Sequence, residues 1–339
     1  MRGHPTLRRA RRHTITSTDS PDHTPSLTVA DVGEFAVIGR AVEGRMQPQS
    51  TLIGPGDDAA LVRAADGRVA VSADMLVQDR HFRLDWSSPR EVGRKAVAQN
   101  AADVAAMGAR PTAFLVSLGL PPDTPIDVAD GISAGLGEAA EELGAGVVGG
   151  DLVQAGQVVI SVTVLGDLGG RSPIRRSGAR PGDVVAVAGD LGRSAAGLAL
   201  HLGGSSDFPD LRAVHRVPVP PYDAAWAAAD GGAHSMTDIS DGLLADLGHI
   251  CDASRVGMSL TRADLTVSPQ VVAAAAVLGA DYWEWVLTGG EDHGFAATFP
   301  ADVRLPAGWT RIGGVHDGSG ISVDGETRPG AGGWQSFAV

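Results

Sequence analysis

Six aspartates stand at the ends of apolar stretches or inside them: Asp58 in "GDDAALV", Asp74 in "AVSADML", Asp103 in "NAADVAAMG", Asp151 in "VVGGDLV", and Asp238 and Asp241 in "TDISDGLLADLGHI". Aspartate is depleted in strand and helix interiors and is rarely buried without a partner. Lys95 is the only lysine in the chain, and the arginines near these acids in sequence are too few to pair them all. Carboxylate oxygens are what hard divalent cations bind, so the repeated pattern points to Mg²⁺ or Ca²⁺. Taken singly, each acid is more often a cap, a turn or a solvated residue; the repetition carries the reading. In "DISDG", a strand ending at Asp238 and a helix opening at Asp241 would turn both carboxylates toward one cation, with the Ser240 hydroxyl beside them. The alternative is that Asp238 or Ser240 simply caps the helix. In "VVGGDLV" two glycines allow a turn or a close approach to a ligand just before Asp151, a bare hairpin turn being the alternative.

Composition limits the remaining classes. A chain of 339 residues has length for one large or two ordinary domains, and 43% hydrophobic with 20% charged residues is ordinary for a globular protein. A formal net charge of −13 argues against a nucleic acid partner, which needs clustered Lys and Arg. No apolar run approaches the roughly 20 residues that span a bilayer. The single cysteine, Cys251, excludes an intrachain disulfide and a cysteine-based zinc site, and fits a reducing cytoplasm. Residues 1–28 are rich in Arg, Ser, Thr and Pro without apolar periodicity, and are expected to be a disordered tail. They carry no hydrophobic segment of a secretory signal, and an organelle transit peptide is the alternative. Walker A, protein-kinase and H-E-x-x-H patterns are all absent, so a nucleotide would be held by metal, arginines and backbone.

The elements that must position the acids follow from periodicity and breakers. "VADVGEFAVIGRAVEG" reads as a helix capped at Thr28, and "DDAALV" with "RVAVSADML" as strands around an Asp66–Gly67 hairpin turn. Asp57 and Asp58, as strand neighbours, would then point to opposite faces. "SPREVGRKAVAQNAADVAAMGA" reads as a long helix from Ser-Pro to Gly108, followed by the strand "TAFLVSLGLP", the helix "VADGISAGLGEAAEELGA" and the strands "GVVGGDLVQ" and "QVVISVTVLGDL". A boundary falls near "RSPIRRSGARPGD". Beyond it come the strand and Gly-rich turn "DVVAVAGDLG", a helix over Arg193–Leu202, the helices "YDAAWAAAD" and "ISDGLLADLGHICDAS", and "YWEWVLTGGEDHGFAATFP". Strands and helices are mixed in both halves, so the expected class is α+β, with domains at 29–170 and 171–339, and not a doubly wound parallel sheet.

The blocks "GDDAAL", "VSADMLVQDRHF", "GRKAVAQNAADVAAMGARP", "GGDLV", "RSGARPGD", "DISDGLLADLGHI" and "TGGEDHGF" occur in the order and spacing of the thiamine-monophosphate kinase family, which the chain resembles from about residue 30 onward. That family belongs to the aminoimidazole ribonucleotide synthetase-like ATP enzymes. The resemblance implies a two-domain fold: an N-terminal α/β domain that binds ATP and Mg²⁺ and forms a barrel with its twin in a homodimer, and a C-terminal α+β domain. It implies ATP as co-substrate, several Mg²⁺ ions in the interdomain cleft, and thiamine monophosphate as acceptor. By motif, Asp58, Ser72, Ala73 (through its carbonyl), Asp74, Asp103, Asp151, Asp238 and Asp241 correspond to metal ligands, with Asp151 and Asp241 the catalytic pair. Gly150, Asp151, Arg176 and Ser240 correspond to nucleotide contacts, with Arg175 competing for the arginine role. His81, Glu291 and Trp334 correspond to thiamine-phosphate contacts, the tryptophan offering an aromatic face to the thiazolium cation. Two departures stand out: "SAD" replaces Ser-Thr-Asp, and His293 stands where the family usually has Tyr.

The chemistry this implies needs no general base, because a phosphate monoester with a second pKa of about 6 is already a nucleophile at neutral pH. Direct in-line transfer, driven by positioning and charge stabilisation, is the expectation. Selenophosphate synthetase and the hydrogenase-maturation relative fit poorly, since each needs a cysteine this chain lacks at the relevant place. Aminoimidazole ribonucleotide synthetase and a catalytically silent nucleotide sensor are the remaining alternatives.

Overall fold

The computed structural model describes residues 27–56 and 59–327. Its first half runs α1 (Val29–Val32), α2 (Glu34–Val42), β1 (Thr51–Ile53), β2 (Leu61–Val62), β3 (Ala70–Val77), α3 (Pro89–Ala106), β4 (Arg110–Leu120), α4 (Ile126–Glu142), β5 (Gly146–Gln154) and β6 (Val159–Asp167). The second half runs β7 (Val184–Ala188), α5 (Arg193–Leu202), α6 (Pro209–Arg216), α7 (Tyr222–Asp230), β8 (Ser235–Asp238), α8 (Leu243–Ser254), β9 (Gly257–Leu260), α9 (Pro269–Leu278), α10 (Tyr282–Thr288), β10 (Phe295–Phe299), β11 (Trp309–His316), β12 (Gly320–Val323) and β13 (Glu326–Thr327).

Helix α3 is organised by its ends. Ser88 accepts from the Glu91 amide while Glu91 reaches back to the Ser88 amide, and Pro89 sits in the first turn, where its missing N–H is no loss. Gly108, at φ 79°, follows the last turn and lets the chain reverse into β4. In the first sheet the order is β3-β6-β4-β5, antiparallel except for β4 and β5, which α4 connects as a crossover. Helices α3 and α4 cover one face, and Val97, Ile132, Phe114, Ile160 and Val162 fill the layer between. The two helices approach closely because Gly93 and Gly135 lie at their contact, where a Cβ would meet the Ile132 and Arg90 carbonyl oxygens at 2.2 and 2.0 Å. The opposite face of this sheet is open and apolar, with Val71, Met75, Leu115 and Val153 all exposed.

The second sheet has the order β13-β12-β9-β11-β7-β10-β8. Its central strands β7 and β10 are buried on both faces. Val185, Val187 and Ala296 face a core with Leu200, Leu247 and Ile250. Ala186, Ala188, Phe295 and Phe299 face another core that takes in Ala102, Ala105 and Ala106. Those alanines belong to α3, whose Val97, Ala101 and Val104 pack into the first core. One helix therefore serves both sheets, and the cleft forms along it. The mixed sheets and helices are the expected α+β class.

Two local expectations are corrected. The first helix is broken into α1 and α2 by Gly33 at φ 84°, after Thr28 and Asp31 close a capping box around a single turn. The Asp66–Gly67 turn does not join paired strands. β3 is in register with β6 from Ala70↔Gly166 to Val77↔Val159, and the two-residue β2 pairs with β1 instead. Eight residues of long-range pairing outweigh what one turn dipeptide favours. Helices α6 and α9 were not foreseen. The expected tail falls outside the described residues up to residue 26, as do Asp57, Asp58 and Trp334.

Candidate active site

Strand β3 presents Ser72 and Asp74 toward α3, the alternation putting both on one face. Ser72 Oγ donates to Asp103 Oδ2 at 2.6 Å, the Asp74 amide donates to Asn100 Oδ1 at 3.0 Å, and Gln99 Nε2 donates to Asp74 Oδ2 at 3.0 Å. Ala73 between them points its side chain to the other face and is exposed. Asp238 is the last residue of β8, as expected, and is 3% exposed. Asp241 lies just ahead of α8, whose first residue is Leu243. Neither Asp238 nor Ser240 caps that helix. Asp246, from within it, accepts from the Asp241 and Gly242 amides at 3.0 and 3.1 Å.

These acids crowd one another. Burial, and next the neighbouring Asp238 charge, push the Asp103 carboxyl up to about 7. Burial raises Asp241 as well, with Asp238 and Asp74 adding to it. Burial and Asp238 push Asp246 to about 7. Asp103 takes its one recorded side-chain hydrogen bond from a neutral serine. Like charges gathered at partly buried positions, all offering oxygen, are the donor set that Mg²⁺ requires, so the residues fit that ion. Ligand atoms of Asp241, Asp246 and His249 lie within 4.8 Å of one another, which adds two candidates that sequence reading did not single out.

Two of these acids, Asp74 and Asp241, line a cleft of about 840 Å³ together with Ser240, His81, Glu291 and His293. Asp79, Glu291 and His293 have φ of 63°, 64° and 50°, conformations non-glycine residues rarely adopt, and all three line this cleft. His81 Nδ1 accepts from the Val77 amide at 3.0 Å, so the neutral ring carries its proton on Nε2, and burial lowers its pKa. Glu291 Oε1 lies 2.8 Å from Lys95 Nζ. Burial works to raise the Glu291 pKa, but Lys95 and then His215 outweigh it and the net shift is downward. His293, 2% exposed, places Nδ1 3.4 Å from Asp238 Oδ2, an ion-pair distance and not a hydrogen bond. Burial opposes its imidazolium, yet the Asp238 and Glu291 charges prevail and raise its pKa. Arg176 Nε donates to Thr237 Oγ1 at 3.2 Å, beside Asp238, which places this arginine at the site.

A Ser–His pair also lines the cleft, Ser194 Oγ lying 3.1 Å from His215 Nδ1. Glu291 Oε2 approaches that same nitrogen at 3.5 Å, so serine and carboxylate do not engage opposite sides of the ring as a proton relay requires. Gly150 and Asp151 are not brought to the acid cluster within one chain. Asp151 stands on the exposed face of β5, and by register Asp151, Ser117, Ser161 and Met75 form one row across the sheet, so three strand spacings separate it from β3. Its recorded bond is local, from the Leu152 amide at 2.9 Å.

Residues 56–168 match the family described as AIR synthase related protein, N-terminal domain, and residues 180–302 match its C-terminal domain. Fold and site thus define an ATP enzyme of the AIR synthase-related class. The thiamine-monophosphate kinase of Mycobacterium tuberculosis is 57% identical over 325 residues, 95% of this chain and 97% of that one. The corresponding Corynebacterium glutamicum protein is 41% identical over 337 residues, 96% and 99% of the two chains. Among solved structures, AaThiL complexed with AMPPCP and TMP superposes with a TM-score of 0.76 at 30% identity, over 93% of this chain and 100% of that one. The chain belongs to the thiamine-monophosphate kinase family.

Proposed function

We propose that this chain transfers the γ-phosphate of ATP to thiamine monophosphate, giving thiamine diphosphate and ADP. The observation that carries the reading is a cleft lined by His81 and Glu291 together with Asp74 and Asp241, two members of the group of mutually repelling carboxylates around Asp103 and Asp238. Family membership supplies the two substrates.

Asp74, Asp103, Asp238 and Asp241, with Ser72 and the Ala73 carbonyl, would hold Mg²⁺; Asp58, outside the described residues, joins them by motif. When bound, Mg²⁺ offsets the repulsion between the two phosphate-bearing substrates and stabilises charge on the group in transfer. Arg176, oriented by Thr237, and Ser240 approach the nucleotide phosphates. Nε2–H of His81 is a donor suited to the acceptor phosphate, and Glu291, kept ionised by Lys95, faces the thiamine end. Attack by the acceptor phosphate oxygen on the γ-phosphorus is direct and in line, the bond to the β-phosphate oxygen breaking as the new one forms. Neither a phosphoenzyme nor a general base is needed.

The active unit in this reading is a homodimer. Support comes from the open apolar face carrying Val71, Met75, Leu115 and Val153, and from the remote position of Asp151 on that face. A second copy packed sheet to sheet covers the first and brings its own Asp151 and Gly150 toward the acids. Among the described residues no helix is long and apolar enough to cross a membrane. ATP as co-substrate and the lone, buried Cys251 favour the cytoplasm. The test is chromatographic: protein with ATP, Mg²⁺ and thiamine monophosphate yields stoichiometric thiamine diphosphate and ADP, and Asp241→Asn yields neither. ATP binding without product overturns the reading.

A further inference from the structure

Lys95 is 1% exposed and lies on α3, behind the cleft rather than on its wall. Full burial is rare for lysine and demands complete pairing of the ammonium. Its Nζ donates to the His81 carbonyl at 2.8 Å and lies 2.8 Å from Glu291 Oε1. Those two partners come from opposite halves of the chain, one from the loop after β3 and the other from the loop between α10 and β10. Both are the residues that the proposed function places against thiamine monophosphate. Glu291 is also held by its amide, which donates to the Ser240 carbonyl at 2.8 Å, and its second oxygen faces His215. Its backbone sits at φ 64°, a conformation that needs such anchors to persist.

We propose that Lys95 is a positioning residue for the thiamine-phosphate end of the cleft, fixing the Glu291 carboxylate and the His81 loop relative to each other. The inference rests on the assignment of Glu291 and His81 to that substrate. Lys95 acts through Glu291: it keeps the carboxylate ionised and aims it, while touching no substrate itself.

A double-mutant cycle tests this by steady-state kinetics. Lys95→Met is expected to raise KM for thiamine monophosphate at least about tenfold, leaving KM for ATP and kcat within about threefold. The neutral pair Lys95→Met/Glu291→Gln is expected to match Glu291→Gln alone within about twofold, because no unpaired buried charge remains. That pair also keeps the test available if Lys95→Met alone fails to fold. Multiplicative effects of the two substitutions, or equal rises in both KM values, would overturn the proposal in favour of a purely structural lysine. Glu291→Gln with an unchanged KM for thiamine monophosphate would remove the assignment beneath it. A wild-type chain inert toward thiamine monophosphate marks failure of the functional reading itself.

Discussion

Ser72 on β3 and Asp103 on α3 meet at 2.6 Å, hydroxyl to carboxylate, and that bond ties the edge strand of the first sheet to the helix that both sheets share. It is a neutral donor serving a crowded acid. The negative charge that Asp238 and Asp74 add around Asp103 is left for a cation to balance.

Replacing Asp103 by Asn should therefore separate stability from activity. Removing one of several like charges relieves repulsion in the metal-free protein, so its melting temperature is expected to hold or rise by a few degrees. Added Mg²⁺ should no longer raise it, and kcat/KM at fixed Mg²⁺ should fall by about a hundredfold or more. Thermal denaturation with and without Mg²⁺, together with turnover, reads all three. A variant whose melting temperature still climbs with Mg²⁺ as the wild type's does would show that Asp103 is not a ligand.

The contact between α3 and α4 sets two effects of opposite sign against each other. Gly135→Ala improves helix propensity by about 1 kcal/mol. Its Cβ would also stand 2.0 Å from the Arg90 carbonyl oxygen, backbone that cannot swing aside. Overpacking of this kind costs about 1–3 kcal/mol and more where backbone must shift. The expected outcome is net destabilisation by about 2 kcal/mol, read as a lower urea midpoint at unchanged slope. A neutral or stabilising result would mean that the helices have room to separate.

Much of this arrangement is legible in the sequence where the signal is local. Ser88, Pro89 and Glu91 announce the start of α3 and Gly108 its end. Asp74, Asp103, Asp238 and Asp241 stood out because an acid in an apolar element is locally anomalous, and the fold brings those four within electrostatic reach of one another. What was missed depends on distant partners. Asn100 looks like an unremarkable helix residue until β3 supplies the Asp74 amide. Asp246 reads as one more helical acid, though its oxygens cap the turn ahead of it. Asp292 hides beside Glu291 but binds the Gly192 and Ser194 amides at 2.6 and 2.8 Å across the second domain. The mistaken hairpin at Asp66–Gly67 has the same cause, a strong local turn overruled by the pairing of β3 with β6.

His215 gives stability a pH dependence of definite sign. Burial first, then the Lys95 charge, depresses its pKa to about 4, against the opposing pull of Glu291; His201 and Arg216 lower it further. The unfolded chain takes up this proton near pH 6.5, whereas the native state resists it until about 4. The stability from a neutral His215 is therefore complete above pH 6.5 and is lost as pH falls toward 4, by up to about 3 kcal/mol. Asp246 and Asp292, pushed up to about 7, act in the opposite direction over the same range. The difference between wild type and His215→Gln is accordingly the informative quantity. Denaturant titrations at pH 7.5 and pH 5 should show a smaller loss on acidification in the variant. Equal losses would mean that this imidazole does not carry the effect.

Asp151 supplies the sharpest test of assembly. On the exposed face of β5 its only recorded bond is to the next amide, so Asp151→Asn should leave the melting temperature unchanged while abolishing turnover. The row from Asp151 to Met75 spans three strand spacings, too far for this carboxylate to join Asp74 and Asp241 in one chain. If a second copy brings Asp151 to the acids, two inactive variants should complement. A dimer of one Asp151→Asn chain and one Asp241→Asn chain contains one site with both aspartates intact and one with neither. Random reassociation of equal amounts makes half the dimers mixed, so about a quarter of wild-type activity should return. Restoration to that level places Asp151 across the interface. No restoration, with mixed dimers demonstrated by native mass spectrometry, would confine each site to a single chain and would require β5 to move toward β3 before ATP is used.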